Sequence, residues 1–260
     1  MDLQLKDKVA LVTGGSRGLG KAICLSLAAE GAKVAVNCYR NTQEGIDLTD
    51  EAQTVADEIA KTYGTEAIVL PGDVADEADV RETFDRIEEK LGPADVLVNN
   101  AAICPTCPVH EMTAEVWRRT IDVNLTGTFL TSRELVRRSL EAGRTGRIVN
   151  VSSQAAFRGS TTGHAPYDAS KGGIVSFTVA LAREVAAKGI AVNAVAPGMI
   201  FTEMTAKTIT ANKEKYLARI PLRRIAEPNE VARVILFLAS EAASYMTGAT
   251  VDVSGGMLMR

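Results

Sequence analysis

Short apolar runs rich in valine and alanine alternate along this chain with longer amphipathic stretches. The seven runs are continuous rather than alternating in hydrophobicity, and they cover residues 9–13, 33–37, 67–70, 95–99, 147–152, 190–196 and 250–253. A continuous apolar strand is typical of a parallel sheet whose two faces are both covered by helices. Between the runs, apolar residues such as Ile23, Leu27 and Ala28 recur at helical spacing. The pattern predicts an α/β fold with a doubly wound, seven-stranded parallel sheet.

The organisation of the chain favours one domain. We find no internal repeat, linker or composition shift, and 46% hydrophobic residues in a 260-residue chain permit a large single core. We therefore expect one domain over residues 1–260. The rhythm is interrupted only at about 198–228, a region rich in Thr and Lys without a strand pattern. Because a loop of that length usually covers a ligand, we expect a substrate-covering segment there.

Composition argues against several classes of protein. Twenty-nine basic and 32 acidic residues give a formal net charge of −3, so no excess positive charge is available to bind nucleic acid. No stretch approaches the ~18 apolar residues of a membrane span, and the first apolar run is too short for a signal peptide. Four scattered cysteines are too few for a disulfide framework, so we expect a protein of the reducing cytoplasm.

Two cysteines and a histidine have spacing that suggests a metal or redox site. They are Cys104, Cys107 and His110. A zinc site needs at least three protein ligands and a structural one needs four, and no second group of cysteines and histidines is present in the sequence. We therefore expect no metal here, and interpret both cysteines as loop residues at the border of a substrate pocket.

A glycine-rich turn follows the first predicted strand and leads directly into a helical pattern. Glycines let the backbone approach a pyrophosphate, and the free N–H groups and dipole of the helix favour its negative charge. The spacing Gly-x3-Gly-x-Gly differs from the commoner dinucleotide fingerprint, so a turn that serves only close packing remains the alternative. We predict that the turn binds a dinucleotide through Gly14, Ser16, Arg17, Gly18, Leu19 and Gly20.

Three further motifs follow this turn in order. They are Asn99-Asn100-Ala101-Ala102, Tyr167-Asp168-Ala169-Ser170-Lys171 and Pro197-Gly198. In order and spacing the four motifs resemble the short-chain dehydrogenase/reductase family, from about residue 6 to residue 256. The resemblance implies a single Rossmann-type domain and an NAD(P)(H)-dependent oxidoreductase that transfers hydride between nicotinamide and a carbonyl or secondary alcohol. One departure is Ala102, where the family usually has glycine.

The resemblance also implies a catalytic set. Tyr167 would pass a proton to or from the substrate oxygen, which Ser153 would hold, with Ser152 as the alternative serine. Lys171 would lower the pKa of the tyrosine and bind the nicotinamide ribose, and Asn124 would support a water that links the lysine to solvent. The four-residue spacing of tyrosine and lysine places both on one helix face, where an ammonium favours a phenolate.

The end of the second predicted strand is where dinucleotide-binding folds distinguish NAD(H) from NADP(H). In dinucleotide folds a carboxylate at this point binds the ribose 2′-hydroxyl and repels a 2′-phosphate. Here the acid would fall at Cys38, next to Tyr39, so that carboxylate is missing. Arg17 and Arg40 are placed to bind a phosphate instead. We predict NADP(H), with NAD(H) as the alternative if Arg40 is only solvated and Arg17 lies over the adenine.

Further cofactor contacts follow from the family pattern. Asp73 and Val74 resemble the pair that contacts adenine. The remaining predicted contacts, besides Tyr167 and Lys171, are Asn100, Ala101, Ala102, Pro197, Gly198, Ile200 and Thr202.

Three functions remain open at this point. The favoured one is reduction of a 3-oxoacyl thioester or small ketone, because the chain resembles 3-oxoacyl carrier-protein reductases. In those enzymes the positions of Arg144 and Lys188 receive an acidic acyl carrier protein, although such residues are also commonly solvated helix ends. The alternatives are a sugar or polyol dehydrogenase and a non-catalytic dinucleotide sensor, which the complete catalytic set argues against. Segments 231–239 and 244–248 resemble a tail that packs such proteins into homotetramers.

Overall fold

A computed structural model describes residues 2–41, 44–160 and 163–259, without the side chains of Met204, Lys207 and Thr208. The strands are β1 (Val9–Val12), β2 (Lys33–Cys38), β3 (Arg40–Asn41), β4 (Ile46–Asp47), β5 (Ala67–Pro71), β6 (Val96–Asn99), β7 (Gly146–Val151), β8 (Ile190–Pro197) and β9 (Thr250–Val253). The helices are α1 (Gly18–Ala29), α2 (Thr49–Tyr63), α3 (Glu77–Lys90), α4 (Ala114–Ile121), α5 (Gly127–Glu141), α6 (Ala155–Arg158), α7 (Ala165–Val185), α8 (Glu203–Arg219) and α9 (Pro228–Leu238). A π-helix, Asp122–Thr126, joins α4 to α5.

Seven of the strands form one parallel sheet in the order β5-β2-β1-β6-β7-β8-β9. This confirms the predicted α/β fold, and no end of a predicted strand differs from the structure by more than one residue. The strand order reverses between β1 and β6, so a crevice opens there at the carboxyl ends of the strands. In sheets of this type that crevice is where ligands bind.

The continuous apolar strands are explained by two cores, one on each face of the sheet. Ala10 and Val12 pack into the core below α1, α2 and α9, whereas Val9 and Leu11 pack into the core below α3, α5 and α7. Neighbouring residues of β1 thus point to opposite faces and are buried on both. None of the described helices combines the length and the apolar character needed to cross a bilayer.

Helix α9 packs against the core of its own chain. Its Val231, Ile235 and Leu238 are at most 1% exposed and pack into the core that also holds α1. The apolar character of segment 231–239 is therefore explained by internal packing, and only part of the predicted oligomer tail is free, with Tyr245 fully exposed.

The segment 198–228 differs from the long loop that the sequence predicts, because it contains the 17-residue helix α8. A capping box of Thr202 and Thr205 begins the helix, Asn212 interrupts it with non-helical dihedral angles, and an isolated bridge pairs Ile200 with Ala226. Ile209 is one of few buried side chains in this helix. With so little burial, no apolar stripe marks the helix in the sequence.

Candidate active site

The four sequence motifs meet at one edge of the sheet. The glycine turn follows β1, Asn100 follows β6, and Gly198 follows β8. The fourth motif, with Tyr167, lies in α7 after β7, and Tyr167 is hydrogen-bonded to Ser153 at the end of that strand. These strands are parallel, and they are consecutive neighbours in the sheet order. Their carboxyl ends therefore place all four motifs along the crevice.

The glycine turn is held in a fixed shape. Gly14 and Gly18 have positive φ angles of 62° and 55°, a region that glycine enters without steric cost. The side-chain amide of Asn100 donates to the carbonyl oxygens of Thr13 and Gly14, both at 3.0 Å. A Cβ placed on Gly20 would lie 2.0 Å from the carbonyl oxygen of Gly14. No side chain other than hydrogen fits at Gly20.

The N-terminus of α1 is open to an anion. Arg17 stands at the N-cap position and makes no side-chain hydrogen bond to the helix, so N–H groups of the first turn keep their capacity to donate. The start of α8 lies over this turn, since a Cβ on Gly18 would be 3.4 Å from Cβ of Thr202 and 3.3 Å from Oε2 of Glu203. A glycine-lined turn with unsatisfied donors fits the pyrophosphate of a dinucleotide.

Ser153, rather than Ser152, faces the tyrosine. The Ser153 hydroxyl forms a hydrogen bond that lowers the pKa of Tyr167, and it accepts one from the backbone N–H of Ala155 at 3.1 Å. Ser152 is buried and donates to the backbone carbonyl of Lys171 at 2.8 Å. In this geometry Ser153 contacts Tyr167, whereas Ser152 holds α7 against β7.

Lys171 is buried below the tyrosine. Its side chain is 2% exposed, and Nζ donates to the carbonyl oxygen of Val151 at 2.7 Å. Nζ lies 5.5 Å from the centroid of the Tyr167 ring. Burial lowers the pKa of the Lys171 ammonium to about 8. Burial therefore disfavours the charged form of this lysine.

The pKa of Tyr167 corrects one expectation. We expected the ammonium of Lys171 to lower it, but the pKa is raised above its ordinary value, mainly because burial removes water from the phenol. The nearby Cys104 and Asp168 act in the same direction, and the Ser153 hydrogen bond opposes them. Desolvation is the largest of these effects and outweighs the Ser153 hydrogen bond. Burial thus favours the protonated phenol of Tyr167.

Asn124 lies in the π-helix and is completely buried. Its Oδ1 accepts from the backbone N–H of Ile103 at 2.8 Å, and its Nδ2 donates to the Ile103 carbonyl oxygen and to Oγ of Ser170, both at 3.0 Å. Ser170 in turn donates to the backbone carbonyl of Tyr167 at 2.7 Å. Asn124 thus connects the loop after β6 to the helix that carries the tyrosine.

The end of β2 contains a hairpin that the sequence did not reveal. Strands β3 and β4 pair Arg40 with Asp47. Burial raises the pKa of the Cys38 thiol to about 11, and the charge of Asp47 acts in the same direction. Cys38 is 0% exposed, and its side chain packs into the core. Arg17 and Arg40 are exposed.

Arg119 is a site residue that sequence reasoning missed. Its Nη1 lies 2.7 Å from Oδ2 of Asp73, and its guanidinium carbon lies 5.4 Å from the centroid of the Tyr39 ring. The Tyr39 hydroxyl donates to Glu44 at 2.8 Å. The cluster joins α4, the end of β2 and the predicted adenine pair. Its only sequence signal is a basic residue five positions before Asn124.

The other predicted cofactor contacts are also at this edge. Backbone N–H groups of Asn100 and Ala101 donate to the Thr13 hydroxyl at 2.9 and 3.0 Å. The backbone N–H of Gly198 donates to Val253 at 3.1 Å, and a Cβ on Gly198 would lie 2.8 Å from Cα of Ser254. The remaining members are Val74, Pro197 and Ile200, which are buried, and Ala102 and Thr202, which are partly buried.

Arg144 and Lys188 lie elsewhere. They precede β7 and β8, at the amino ends of the strands and so at the opposite edge of the sheet from Tyr167. The Arg144 guanidinium lies 2.8 Å from Oδ1 of Asp95. Among the residues that the structure describes, no group of three His, Cys, Asp or Glu side chains is placed to hold a metal ion.

A glycine turn with unsatisfied N–H donors and a tyrosine–lysine–serine group, both at the switch point of a parallel sheet, define a dinucleotide-binding oxidoreductase. Known proteins agree with this class. Residues 14–258 match a family model described as Enoyl-(Acyl carrier protein) reductase. The chain is 41% identical over 257 residues to a 3-oxoacyl-[acyl-carrier-protein] reductase of Aquifex aeolicus, and the aligned region covers 99% of this chain and 100% of that protein. A reductase of the same name from Synechocystis is 44% identical and covers 98% of each chain.

Solved structures show the same fold. A short-chain type dehydrogenase/reductase from Mycobacterium marinum superposes with a TM-score of 0.92 at 35% identity, covering 100% of this chain and 99% of the other. A protein from Agrobacterium tumefaciens described as a 2-deoxy-D-gluconate 3-dehydrogenase, solved with bound NADP, has a TM-score of 0.88 at 36% identity with the same coverage. The chain belongs to the short-chain dehydrogenase/reductase family and is an NAD(P)-dependent oxidoreductase.

Proposed function

We propose that this chain is an NADP(H)-dependent reductase of a 3-oxoacyl thioester or small ketone. The observation that carries the proposal is the convergence of Ser153, Tyr167 and Lys171 on the sheet edge that also holds the open glycine turn. The names of the relatives from Aquifex aeolicus and Synechocystis support the thioester as substrate.

Each catalytic residue has a defined role in this proposal. Tyr167 donates its phenolic proton to the carbonyl oxygen of the substrate, which Ser153 holds by a hydrogen bond. A raised pKa keeps the tyrosine protonated, as a proton donor in a reduction requires. Lys171 provides positive charge beside the phenol and binds the nicotinamide ribose, and Asn124 supports the water that links this lysine to solvent. The nicotinamide, when bound, supplies the hydride.

The preference for NADP(H) rests on the charges around the end of β2. Arg17 and Arg40 are exposed, and Cys38 carries no charge near neutral pH because its pKa is raised. We assign the 2′-phosphate to the two arginines rather than to the buried Cys38. Asp47 lies across the hairpin from Arg40 and acts against a phosphate, so NAD(H) is the alternative cofactor.

Two alternative functions are separated by particular observations. A sugar or polyol dehydrogenase is supported by the gluconate-type structural relative and by polar side chains close to the tyrosine, namely Thr106, Ser160, His164 and Asp168. A non-catalytic dinucleotide sensor would have no need of a buried lysine beside a tyrosine, since burying an ammonium costs stability.

The proposed partners are an acyl carrier protein and further copies of the chain. Arg144 and Lys188 would bind the acidic carrier, although within one chain they lie at the opposite sheet edge from Tyr167. The carrier would therefore reach the pocket of a neighbouring subunit, as a homotetramer allows. Exposed apolar side chains on α4, α5 and α7 support such an assembly: Trp117, Phe129, Leu140 and Val179.

One experiment separates these functions. Absorbance of reduced nicotinamide is followed with 3-oxoacyl thioesters and ketones, and in the oxidative direction with sugars and polyols. The proposal predicts a kcat/KM for a 3-oxoacyl thioester at least about a hundredfold above that for any sugar or polyol. Turnover of sugars alone would establish the second function. Tight cofactor binding without turnover of any substrate would establish the sensor.

A further inference from the structure

Two loops beside Tyr167 are joined to each other. The backbone N–H of Cys107, in the loop after β6, donates to the carbonyl oxygen of Gly163 at 2.9 Å. Beside this bond, Oγ1 of Thr106 lies 2.9 Å from Nε2 of His164. We call residues 104–107 together with Gly159, Ser160, Gly163 and His164 the pocket wall. Thr161 and Thr162 lie outside the described residues and are not part of it.

Gly163 makes the close approach of the two loops possible. Its φ angle is +79°, and an added Cβ would lie 2.8 Å from both the carbonyl carbon and the carbonyl oxygen of Cys107. These are backbone atoms that cannot rotate away as a flexible side chain would. Any larger residue at Gly163 must push the two loops apart.

Asp168 fixes the other end of the wall. Its Oδ2 accepts hydrogen bonds from the backbone N–H of Ser160 at 2.6 Å and from the Ser160 hydroxyl at 2.7 Å. Asp168 directly follows Tyr167 in α7, so the position of Ser160 is tied to the helix that holds the proton donor. Arg158, at the end of α6, donates to the carbonyl oxygen of Met257.

The wall reaches the catalytic residues. The Cys104 thiol interacts electrostatically with Tyr167 and Lys171, and it is partly buried. His164 is the N-cap residue of α7, and its carbonyl oxygen accepts from the backbone N–H of Asp168 at 2.9 Å, so the wall adjoins the helical turn that carries Tyr167. Because the two loops are joined by backbone contact and tied to α7, a bound substrate displaces them less than it would displace two independent loops.

We propose that Gly163 and Asp168 are specificity-determining positioning residues, which hold the pocket wall at a fixed distance from Tyr167 and exclude substrates branched beside the carbonyl. The proposal rests on the proposed function, because it requires a carbonyl substrate at Tyr167. Neither residue touches the reacting atoms. Loss of Gly163 should change substrate binding and selectivity without changing the chemical step, whereas loss of Asp168 also removes a charge that acts on Tyr167.

The test compares two thioesters of N-acetylcysteamine, 3-oxobutanoyl and the branched 2-methyl-3-oxobutanoyl. Steady-state kinetics are measured for the wild type, Gly163→Ala, Asp168→Ala and Ser160→Ala, with cofactor Kd from nicotinamide fluorescence. We expect Gly163→Ala and Asp168→Ala to raise KM for the unbranched thioester at least about fivefold, with kcat of Gly163→Ala within about twofold of the wild type. The ratio of kcat/KM between unbranched and branched substrate should fall at least about fivefold. Cofactor Kd should stay unchanged.

Gly143→Ala is the matched control. Gly143 has a positive φ of 63° with nothing within 4 Å of an added Cβ, so the variant introduces similar backbone strain away from the wall. An unchanged selectivity ratio in Gly163→Ala and Asp168→Ala would overturn the proposal, as would equal changes in kcat, KM and cofactor Kd. If one of these two variants does not fold, the other decides.

Failure of the proposed function is visible separately. In that case the wild type turns over neither thioester, and the same ratio is measured on a linear and a branched secondary alcohol in the oxidative direction. The ratio of kcat/KM between unbranched and branched substrate is then compared for the substrates that the wild type accepts. If Gly163→Ala leaves this ratio unchanged, the proposed role of the pocket wall is overturned independently of the proposed function.

Discussion

Replacing Lys171 by methionine tests whether the buried ammonium of Lys171 destabilises the folded state. The pKa of Lys171 falls from 10.5 to about 8 because the side chain is buried. At about 1.4 kcal/mol per pKa unit, the folded state is destabilised by about 3 kcal/mol wherever both states carry the proton. That condition holds below pH 8. Between pH 8 and pH 10.5 the folded chain has lost the proton while the unfolded chain retains it, so the stability of the wild type rises.

The expected signal is a change with pH in the difference between wild type and Lys171→Met. Urea unfolding at one fixed protein concentration gives the free energy of unfolding of both proteins at pH 7, 8, 9 and 10. The difference should shift by about 2.5 kcal/mol in favour of the wild type from pH 7 to pH 10, because the rise is complete only above pH 10.5. Tyr167 does not interfere, since a raised pKa affects stability only above its ordinary value of 10.

Lys90→Met serves as the control for this experiment. The Lys90 side chain is exposed, in the last turn of α3, and remains in water when the chain folds. We expect its difference from the wild type to be constant over the same pH range. A difference for Lys171→Met that also stays constant within about 0.5 kcal/mol would refute the argument that burial lowers this pKa.

Three further variants test the cofactor site by fluorescence titration. Gly20→Ala places a Cβ 2.0 Å from the Gly14 carbonyl oxygen, and we expect Kd for both cofactors to rise at least about tenfold; an unchanged Kd would move the pyrophosphate elsewhere. Arg40→Glu should weaken NADPH at least about tenfold and leave NADH within about threefold, and equal losses would remove Arg40 from the 2′-phosphate. Arg119→Ala frees the carboxylate of Asp73 and should weaken both cofactors about fivefold; no change would place the cluster outside the adenosine site.

The parts of the fold that could be predicted are those with a strong local pattern. The strands were predictable because burial on both faces demands continuous apolar residues. Helix α8 was not, since a helix with few buried side chains carries no apolar stripe. The hairpin of β3 and β4 was not either, because two residues per strand are too few for any periodicity.

The candidate site divides in the same way. Spacing alone indicated that Tyr167 and Lys171 share a helix face. It could not reveal that burial raises the pKa of the first and lowers that of the second, because burial depends on the packing of distant segments. The arrival of Asp47 beside Cys38 and of Arg119 beside Asp73 likewise depends on tertiary structure.

The measurement closest to the central claim is turnover by Tyr167→Phe. This change removes only the phenolic hydroxyl and leaves the glycine turn, Ser153 and Lys171 in place. The account predicts that kcat for reduction of a 3-oxobutanoyl thioester falls at least about a thousandfold, while NADPH titrated by fluorescence binds within about twofold of the wild-type Kd. A variant that retains more than about a tenth of wild-type kcat would contradict the role of Tyr167 as proton donor.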